Sequence, residues 1–397
     1  MKNIILFDGA ERGQLLPFTF TRPVGDMRIG ILTIKEKWEK QTTANVSFAT
    51  SDYLATKFSI IKADENLYIN GAVCPTKNLG EEVLQLRMGQ SLYNNNTLIA
   101  FVAELDYIYD ENNIPASDKV SCKSTDFIHL QNLTDIFTKN DTAIKQDFEL
   151  LTAGRTSANI NNTNRLYNDS QIFAEESAII ESSILNAKSG PIYIGNHTEV
   201  MEGSIIRGAF ALCDHAGTKL ATKVYGATTV GPYCKIGGEV NNVVMWGYSN
   251  KGHDGFLGNA VIGEWCNIGA DTNNSNLKNN YAPVKLWSYI TEKFENTGQT
   301  FCGLMMADHA KCGINTMFNT GTLVGVAANI FGAGFPRNYI PSFAWGGAQG
   351  FDTFQLPKVY EMASIMASRR GIGFSDIDKD ILKHLFEDGK QSRFWEK

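Results

Sequence analysis

The sequence predicts two folds in one chain: an α/β domain over residues 1–165 and a parallel β-helix over residues 171–345, with a helical tail over residues 346–397. Short apolar strands alternating with amphipathic stretches indicate the α/β domain. An aliphatic residue then recurs every six positions, a period that neither a continuous strand nor a helix produces. Two amphipathic stretches near the C-terminus predict the terminal helices.

The first domain is predicted from apolar segments separated by polar turns. The opening strand is "NIILF", and Asp26 is expected to cap a helix over "MRIGILTIKEKWEK". Later strands are predicted at "NLYIN", "TLIAFVA" and "DFIHL", and a helix at "LTDIFTKNDTAIKQDFELL". From Thr152 to Gln171 the composition changes to Asn, Thr and Ser, which predicts a linker.

A six-residue repeat follows the linker. Its aliphatic positions are Ile194, Val200, Ile206 and Leu212; Val224, Val230 and Ile236; Phe256, Ile262 and Ile268; and Val324 and Ile330. Glycines follow several aliphatic residues, at Gly195, Gly231, Gly237, Gly263 and Gly269. Glycine suits a bend because it accepts backbone angles denied to other residues. Three such steps would close a coil of roughly 18 residues, with coils about 4.8 Å apart.

A β-sandwich with evenly spaced strands is the alternative to the β-helix. Sandwich strands, however, usually recur at about 8 to 12 residues. Two helices are predicted beyond the repeat, at "LPKVYEMASIMASRRG" with Gly371 as C-cap and at "FSDIDKDILKHLFEDG" with Ser375 as N-cap. We expect them to cover an end of the coil or a neighbouring subunit, because an open edge invites unwanted strand pairing.

The composition is that of a globular protein, with 43% hydrophobic and 20% charged residues. The net charge of −6 argues against a surface that wraps nucleic acid. The seven cysteines are scattered, without a C-x-x-C pair, which predicts reduced thiols rather than disulfides or a zinc site. No segment has the length of a signal-peptide core or a membrane span, so we expect a cytoplasmic protein.

The segment "KGHDGFLGNAVIGEWCNIGADTNNSN" resembles the acetyltransferase half of the bifunctional N-acetylglucosamine-1-phosphate uridyltransferase/glucosamine-1-phosphate N-acetyltransferase family. The family's G-H-x-x-Y-L-G-D stands here at residues 252–259, and its N-x-G-A-G-T-x-x-x-N at residues 267–276. The resemblance covers residues 171–345. It implies a left-handed coil, a homotrimer, and acetyl-CoA bound between adjacent β-helices.

The resemblance also implies the roles of individual residues. His253 would be the general base, and Asn276 would hold the substrate and the reaction centre. An imidazole suits the task because it titrates near neutral pH and can accept a proton from an amine. A surface histidine is the alternative for His253, since a lone histidine is weak evidence. Asp254 is expected to be solvated, because neighbouring strand residues point to opposite faces.

Further substrate-binding candidates surround these two residues. The set comprises Asn267, Phe256, Lys251, Asp308, His309 and Lys311. Here "ADHAKCGIN" resembles the G-D-H-x-x-x-G-I-N segment of related sugar-nucleotide acetyltransferases. Lys251, Lys311 and Arg337 could contact the phosphates of coenzyme A or of a sugar. Phe256 replaces the family tyrosine, and Asn241 and Asn242 replace a basic pair. The family's sugar-phosphate arginines have no clear counterpart.

The first domain resembles sugar nucleotidyltransferases, which implies a reduced, Rossmann-like nucleotidyltransferase fold. "FTFTRP" is present, but Gln14 stands at the signature arginine, Val24 at the usual lysine, and Ala72 at the metal-binding aspartate. A nucleotide could still be bound, by the candidates Asp8, Arg12, Arg22, Asp26 and Arg28. Mg²⁺ would be needed only if this domain is active, because pyrophosphate release depends on a metal and a positive clamp.

Three functions follow as hypotheses. The first is an acetyl-CoA-dependent N-acetyltransferase acting on an amino-sugar phosphate in sugar-nucleotide biosynthesis. The second is a nucleotidyltransferase that makes a UDP-sugar in the first domain. The third is a non-catalytic trimeric scaffold whose first domain binds a nucleotide-sugar as a regulator.

Overall fold

The computed structural model of the chain describes residues 3–110, 113–115 and 118–396. It contains two compact units, one formed by Met1–Arg28 and Leu32–Leu133, the other by Ile29–Ile31 and Thr134–Lys397. The predicted boundary lay at residue 165. In this division the helical stretch after residue 133 belongs to the second unit, and the domain boundary at residue 165 stays a prediction.

The first unit is an α/β unit around a mixed sheet. Its strands are β1 (Asn3–Phe7), β2 (Val46–Ala49), β3 (Glu65–Asn70), β4 (Val73–Cys74), β5 (Gln90–Asn94), β6 (Thr97–Glu104), β7 (Asp118–Ser121) and β8 (Ile128–His129); its helices are α1 (Glu11–Gln14), α2 (Ile34–Thr42), α3 (Asp52–Ala55) and α4 (Lys77–Leu84). The sheet has the order β2-β1-β3-β6-β5-β7, in which β1 is parallel to both neighbours. β4 and β8 form a separate antiparallel pair.

All four predicted strands of the first unit are confirmed, but the first long helix begins later than predicted. Helix α2 starts at Ile34 and not near Met27, because Gly30 has a φ of +75°, which a right-handed helix does not allow. Thr33 is the N-cap: its hydroxyl accepts from Glu36 N, and the Glu36 carboxylate accepts from Thr33 N. Asp26, the predicted cap, pairs with Arg22 instead.

The second unit contains a parallel β-helix with flanking helices, which confirms the predicted fold. Its elements are α5 (Asp135–Thr138), α6 (Asn140–Thr152), β9 (Arg165–Tyr167), β10 (Ile172–Ala174), β11 (Ile179–Ile180), β12 (Ile184–Asn186), β13 (Ile192–Ile194), β14 (Glu199–Val200), β15 (Ile205–Arg207), β16 (Phe210–Leu212), β17 (Gly217–Thr218), β18 (Lys223–Tyr225), β19 (Thr228–Val230), β20 (Lys235–Ile236), β21 (Glu239–Gly247), β22 (Asn250–Lys251), β23 (Phe256–Glu264), β24 (Asn267–Ile268), β25 (Asn273–Asn274), β26 (Lys285–Ser288), β27 (Lys293–Asn296), β28 (Leu304–Met306), β29 (Lys311–Cys312), β30 (Met317–Phe318), β31 (Thr322–Val324), β32 (Asn329–Ile330), β33 (Tyr339–Ile340), β34 (Ala344–Gly347), β35 (Gly350–Thr353), α7 (Leu356–Ser368) and α8 (Asp376–Asp388). None of the helices in the described ranges is long and apolar enough to cross a bilayer.

The coil has three faces. The first face runs from β9 through β12, β15 and β18 to the beginnings of β21 and β23; the second runs from β10 through β13, β16 and β19 to the ends of β21 and β23, and on to β28, β31 and β33. The third face is a ten-stranded sheet from β11 to β35, parallel except for its last pair. Because β9 already pairs with β12, the predicted linker ends before Arg165 and the coil begins earlier than predicted.

Buried aliphatic residues form columns through the interior of the coil. On the second face Ile194, Leu212 and Val230 are paired in register at intervals of 18 residues. The next steps, to Met245 and Ile262, are shorter, and an insertion carrying the antiparallel hairpin β26–β27 follows β25. The prediction fails at Phe256, which is half-buried, because its neighbour Leu257 takes the interior position.

The glycines that follow the aliphatic residues are needed because there is no room for a side chain between successive coils, and not because of unusual backbone angles. Gly231 has no left-handed φ, but a Cβ there would lie 1.8 Å from the carbonyl oxygen of Trp246. The left-handed φ at this corner belongs to Tyr233, two residues later. Glycine is therefore required because successive coils approach closely, and the explanation expected from the sequence is wrong at this position.

The C-terminal helices are confirmed, with one change in their ends. Ser375 caps α8 through a capping box with Asp378, as its position predicts. Helix α7 ends at Ser368, with Arg369 as its cap residue, and Gly371 takes a left-handed φ of +69° two residues later. Gly371 is therefore not the C-cap that the sequence predicts.

Candidate functional site

His253 lies on the corner between the third and first faces, in the loop that joins β22 to β23. Its side chain is exposed, so the imidazole is accessible from outside the coil. Asp254 is also exposed, as the sequence predicts. The loop is held to the next coil by a hydrogen bond of 2.9 Å from Asp271 N to Asp254 O.

Lys251 fixes the same loop from inside the coil. It stands in register with Ile236, in an interior column, and is only 1% exposed. Its ammonium donates to the carbonyl oxygens of His253 and Asp254, the second at 3.1 Å. Burial lowers the pKa of Lys251 to about 8. An ammonium held in this way does not reach a phosphate outside the coil, so the structure supports a positioning role in place of the predicted substrate contact.

The burial of Lys251 predicts a particular dependence of stability on pH. Its pKa is about 8 in the folded chain against 10.5 for an ordinary lysine. Between these values the unfolded chain binds more protons, so the free energy of unfolding rises with pH, by on the order of 3 kcal/mol in total. In Lys251→Met, whose unbranched side chain is one atom shorter and uncharged, this contribution should be absent.

The measurement is urea unfolding of both proteins at pH 8 and at pH 10. For each protein we take the change in the free energy of unfolding between pH 8 and pH 10. Tyrosines and cysteines that titrate in this range contribute equally to both proteins, so the difference between the two changes reports Lys251. Parallel pH curves for the two proteins would contradict a buried ammonium at this position.

Asn276 and Phe256 meet on the first face. A Cβ added at Gly258 would lie 2.5 Å from Phe256 Cζ and 2.9 Å from Asn276 Nδ2, so the ring and the amide cover the same glycine. The Asn276 amide donates to Asn259 Oδ1 at 2.7 Å, which fixes its orientation. His253 comes directly after a strand of the third face, and Asn276 comes directly after a strand of the first face. The two residues therefore lie at opposite ends of the first face.

The segment from Asp308 to Lys311 is largely engaged with the coil itself. Asp308 is buried, and its carboxylate accepts from Glu264 N at 2.7 Å. His309 lies parallel to Trp265, with ring centroids 6.4 Å apart. The Lys311 ammonium donates to the carbonyl oxygens of His309, at 2.9 Å, and Trp265, at 3.3 Å, and burial lowers its pKa to about 8. Within this segment, only Lys311 also contributes to the lining of a groove.

The groove lies between the third face and helix α7, and we call it the α7 groove. Its volume is about 1030 Å³, at the upper end of the usual range for small-molecule sites. Asn267 and Lys311, which the sequence singles out, stand next to each other on its floor. Asn250, Asn329 and the α7 residues are not among the residues that the sequence predicts for the site. The sequence does contain a pattern that predicts the floor of the groove, because each residue of the floor immediately precedes a residue of the coil interior.

Stacked rings mark the corner between the second and third faces. The stack comprises His197, His215, Tyr233, Tyr248, Trp265 and His309, all with left-handed φ. Tyr248 and Trp265 are 4.3 Å apart at an angle of 5°, and both line the α7 groove. One edge of the groove is therefore an aromatic surface, suitable for contact with a flat or apolar group.

In the first unit, the structure brings two of the five predicted nucleotide-binding residues into one cavity. Asp8 and Arg12 form an ion pair of 2.8 Å and line a cavity of about 410 Å³. Burial raises the pKa of Asp8, although the Arg12 guanidinium opposes this. Arg22 pairs instead with Asp26, at 3.1 Å, and Arg28 with Glu36, at 3.5 Å.

The position at which the resembled family has its metal-binding aspartate is apolar in the first unit. Ala72, at the position of the family's metal-binding aspartate, is completely buried. The side chain of Asn70 accepts from Ala72 N and donates to Glu11. The Glu11 carboxylate is engaged by His129 Nε2 at 2.6 Å, a pair that the sequence analysis missed. Within the described ranges, no group of three or more His, Cys, Asp or Glu residues could hold a metal.

Residues 4–156 match a family described as sugar nucleotidyl transferase, which is less than half of the chain. No curated protein matches the chain. The chain therefore combines a sugar-nucleotidyltransferase-like domain with a parallel β-helix.

Solved structures resemble about half of the chain at low identity. The polysialic-acid-specific acetyltransferase NeuO is 14% identical over 53% of this chain and 100% of its own, with a TM-score of 0.27. An Arabidopsis UDP-N-acetylglucosamine acyltransferase is 13% identical over 54% and 81%, with a TM-score of 0.22. A point mutant of AntD, an N-acyltransferase from Bacillus cereus in complex with dTDP and coenzyme A, is 13% identical over 54% and 100%, with a TM-score of 0.23.

Proposed function

We propose that the chain is an acetyl-CoA-dependent N-acetyltransferase whose acceptor is an amino-sugar phosphate of the glucosamine-1-phosphate type, in sugar-nucleotide biosynthesis. The observation that carries the proposal is the exposed His253 imidazole on a loop fixed from inside the coil by Lys251. A general base must be both accessible and held in place, because small displacements of a reacting group are costly in rate.

The proposed reaction is a direct transfer. The amine nitrogen of the acceptor attacks the thioester carbonyl while His253 takes a proton from that nitrogen. The carbon–sulfur bond then breaks, and the coenzyme A thiolate leaves and takes up a proton. The Asn276 amide, already oriented by Asn259, is the group proposed to hold the acceptor next to the reacting carbonyl. We propose a homotrimer as the active assembly, in line with the resemblance of the sequence.

The direct test is release of free thiol from acetyl-CoA in the presence of a panel of amino sugars. Glucosamine-1-phosphate is expected to give turnover, and N-acetylglucosamine-1-phosphate, whose nitrogen is already acylated, is the matched negative control. If none of the amino sugars in the panel causes release of thiol, acetyl transfer to amino sugars is contradicted. Light scattering on the same protein tests the trimer.

A second candidate function concerns the first unit, where we propose nucleotide-sugar binding without nucleotidyl transfer. The cavity that contains Asp8 and Arg12 favours it, together with the family match over residues 4–156. The buried Ala72 at the expected metal position argues against pyrophosphate release. An active nucleotidyltransferase is the alternative that pyrophosphate release tests, and binding of a nucleotide-sugar without turnover in either assay would favour a non-catalytic scaffold regulated by that ligand.

We expect the chain to bind UDP-N-acetylglucosamine and to release no pyrophosphate from UTP and a sugar-1-phosphate with Mg²⁺. Ile60→Glu should weaken nucleotide-sugar binding by about 10-fold or more, because its carboxylate would stand in the cavity lining and repel the phosphates while the Asp8–Arg12 pair is kept. The matched control is Ile108→Glu, also in the cavity lining but 79% exposed, so that its carboxylate is able to turn outward. Steady pyrophosphate release would show instead that this unit is catalytic.

A further inference from the structure

Lys311 stands on the floor of the α7 groove, and the proposed reaction does not use it. The register of the third face pairs Asn267 with Lys311 and Lys311 with Asn329. Both asparagines line the groove as well. Lys311 is therefore an amine between two uncharged polar side chains, on a surface that a ligand in the groove would contact.

The Lys311 nitrogen donates to two carbonyl oxygens, that of His309 at 2.9 Å and that of Trp265 at 3.3 Å. An ammonium has three N–H donors, whereas the neutral amine has two N–H donors and a lone pair. The two carbonyls therefore satisfy every donor of the neutral amine and leave its lone pair uncommitted. In the ammonium, the third donor has no partner among the described residues.

The surroundings of Lys311 disfavour its charged form. The groove is walled largely by aromatic and other apolar side chains, among them Trp265, Trp345 and Met362. Burial lowers the pKa of Lys311 to about 8. Cys266 opposes this shift, but burial raises the pKa of its own thiol, so the sulfur is uncharged near neutral pH.

No carboxylate of the described residues pairs with Lys311. The other charged side chains that line the groove come from α7 and the two residues after it; they are Lys358, Glu361, Arg369 and Arg370. Lys358 and Glu361 pair with each other at 2.9 Å. Asp308, three residues before Lys311, is buried and accepts from Glu264 N. The ammonium of Lys311 is therefore without the negative partner that usually stabilises a buried charge.

Lys251 has a similar environment but a different position. Burial lowers its pKa to about 8 as well, and it too donates to two carbonyl oxygens. However, Lys251 is 1% exposed inside the coil, whereas Lys311 is partly exposed and lines a groove of about 1030 Å³. Of these two lysines, only Lys311 can present its lone pair to a ligand.

We propose that Lys311 is a modification site, whose amine is acetylated by acetyl-CoA that enters the α7 groove. The nitrogen attacks the thioester carbonyl, a nitrogen–carbon bond forms, and the carbon–sulfur bond breaks. The coenzyme A thiolate leaves with the bonding electrons and takes up the proton that the nitrogen loses. The amide that results has one N–H for two carbonyls and places an acetyl group in the groove, which leaves less room for a ligand there.

The inference takes its acetyl donor from the proposed function and rests on it in that respect. The test is incubation of the full-length chain with acetyl-CoA at about pH 8, without an amino sugar, followed by proteolysis and mass spectrometry. Lysines of the same molecule are compared, so no variant has to fold. Lys358 lines the same groove and is exposed, but its Glu361 partner raises its pKa. Lys251 has the lowered pKa without the exposure.

At pH 8 about half of the Lys311 side chains are neutral, against less than about 1% of ordinary lysines. Nucleophilicity falls as the pKa falls, as it does among thiols, and this offsets part of the advantage. We therefore expect Lys311 to be acetylated about 10-fold faster than Lys358, and Lys251 to stay unmodified. Equal rates at Lys311 and Lys358 overturn the proposal, as does an unmodified Lys311 or equal modification of Lys251.

The outcomes separate this inference from the proposed function. Acetylated Lys311 in a chain that transfers acetyl groups to no amino sugar would contradict the proposed function and leave the modification site standing. Turnover with glucosamine-1-phosphate while Lys311 stays unmodified would support acetyl transfer and overturn the inference.

Discussion

His253→Ala is expected to lower the kcat of acetyl transfer by roughly 10²- to 10⁴-fold, the usual contribution of a positioned general base. The amine of the acceptor must lose a proton as it attacks, and alanine cannot accept it. Because the imidazole is exposed and the backbone carbonyl of Asp254 in its loop accepts from the Lys251 ammonium and from Asp271 N, the substitution should leave the coil intact. The assay is thiol release at saturating acetyl-CoA.

His384→Ala is the matched control, since it removes an exposed imidazole from helix α8. It should retain wild-type turnover, and both variants should have the wild-type unfolding midpoint. An additional readout is the pH profile: the limb of kcat/KM that reports the base should disappear in His253→Ala. Turnover of His253→Ala within a factor of two of wild type would remove His253 from the mechanism.

Gly231→Ala is expected to have the largest effect on stability, about 3 kcal/mol or more of lost free energy of unfolding. The new Cβ would lie 1.8 Å from the carbonyl oxygen of Trp246 and 2.4 Å from its carbon. Both are backbone atoms of the next coil, so relief requires the coils to separate. The measurement is the urea midpoint of unfolding, together with the yield of soluble protein.

Gly313→Ala is the matched control. Like Gly231, Gly313 follows an interior residue of the coil, yet a Cβ there would be 3.5 Å from its nearest neighbour, an ordinary contact. We expect its midpoint to stay within about 0.5 kcal/mol of wild type, as is usual where no contact is disturbed. Equal effects of the two substitutions would show that backbone freedom, and not space, explains these glycines.

Periodicity predicted the coil correctly because each interior residue is buried by the residues directly above and below it. Ile194, Leu212 and Val230 meet this condition at every coil. The prediction failed at Phe256 because β23 is a nine-residue strand that serves two faces, which places Leu257 inside. A change of one residue reverses inside and outside on a strand, and a period of six cannot detect it.

The sequence predicted the position of a site residue correctly only where that residue belongs to a local motif. The exposure of His253 agrees with the motif, whereas Lys251 looked like a surface cation and lies in the interior. Its position follows from pairing with Ile236, a contact between coils. The Glu11–His129 pair was missed for the same reason, since 118 residues separate its members.

The sequence by itself determined that this chain has an α/β part, a six-residue coil and two terminal helices, because these depend on local period, capping and composition. The tertiary structure alone decided which side chains share a site. Arg370 lies 3.5 Å from Asn250 although 120 residues separate them. Such a meeting depends on where α7 packs against the third face, and packing is set by the summed burial of many residues rather than by any local pattern.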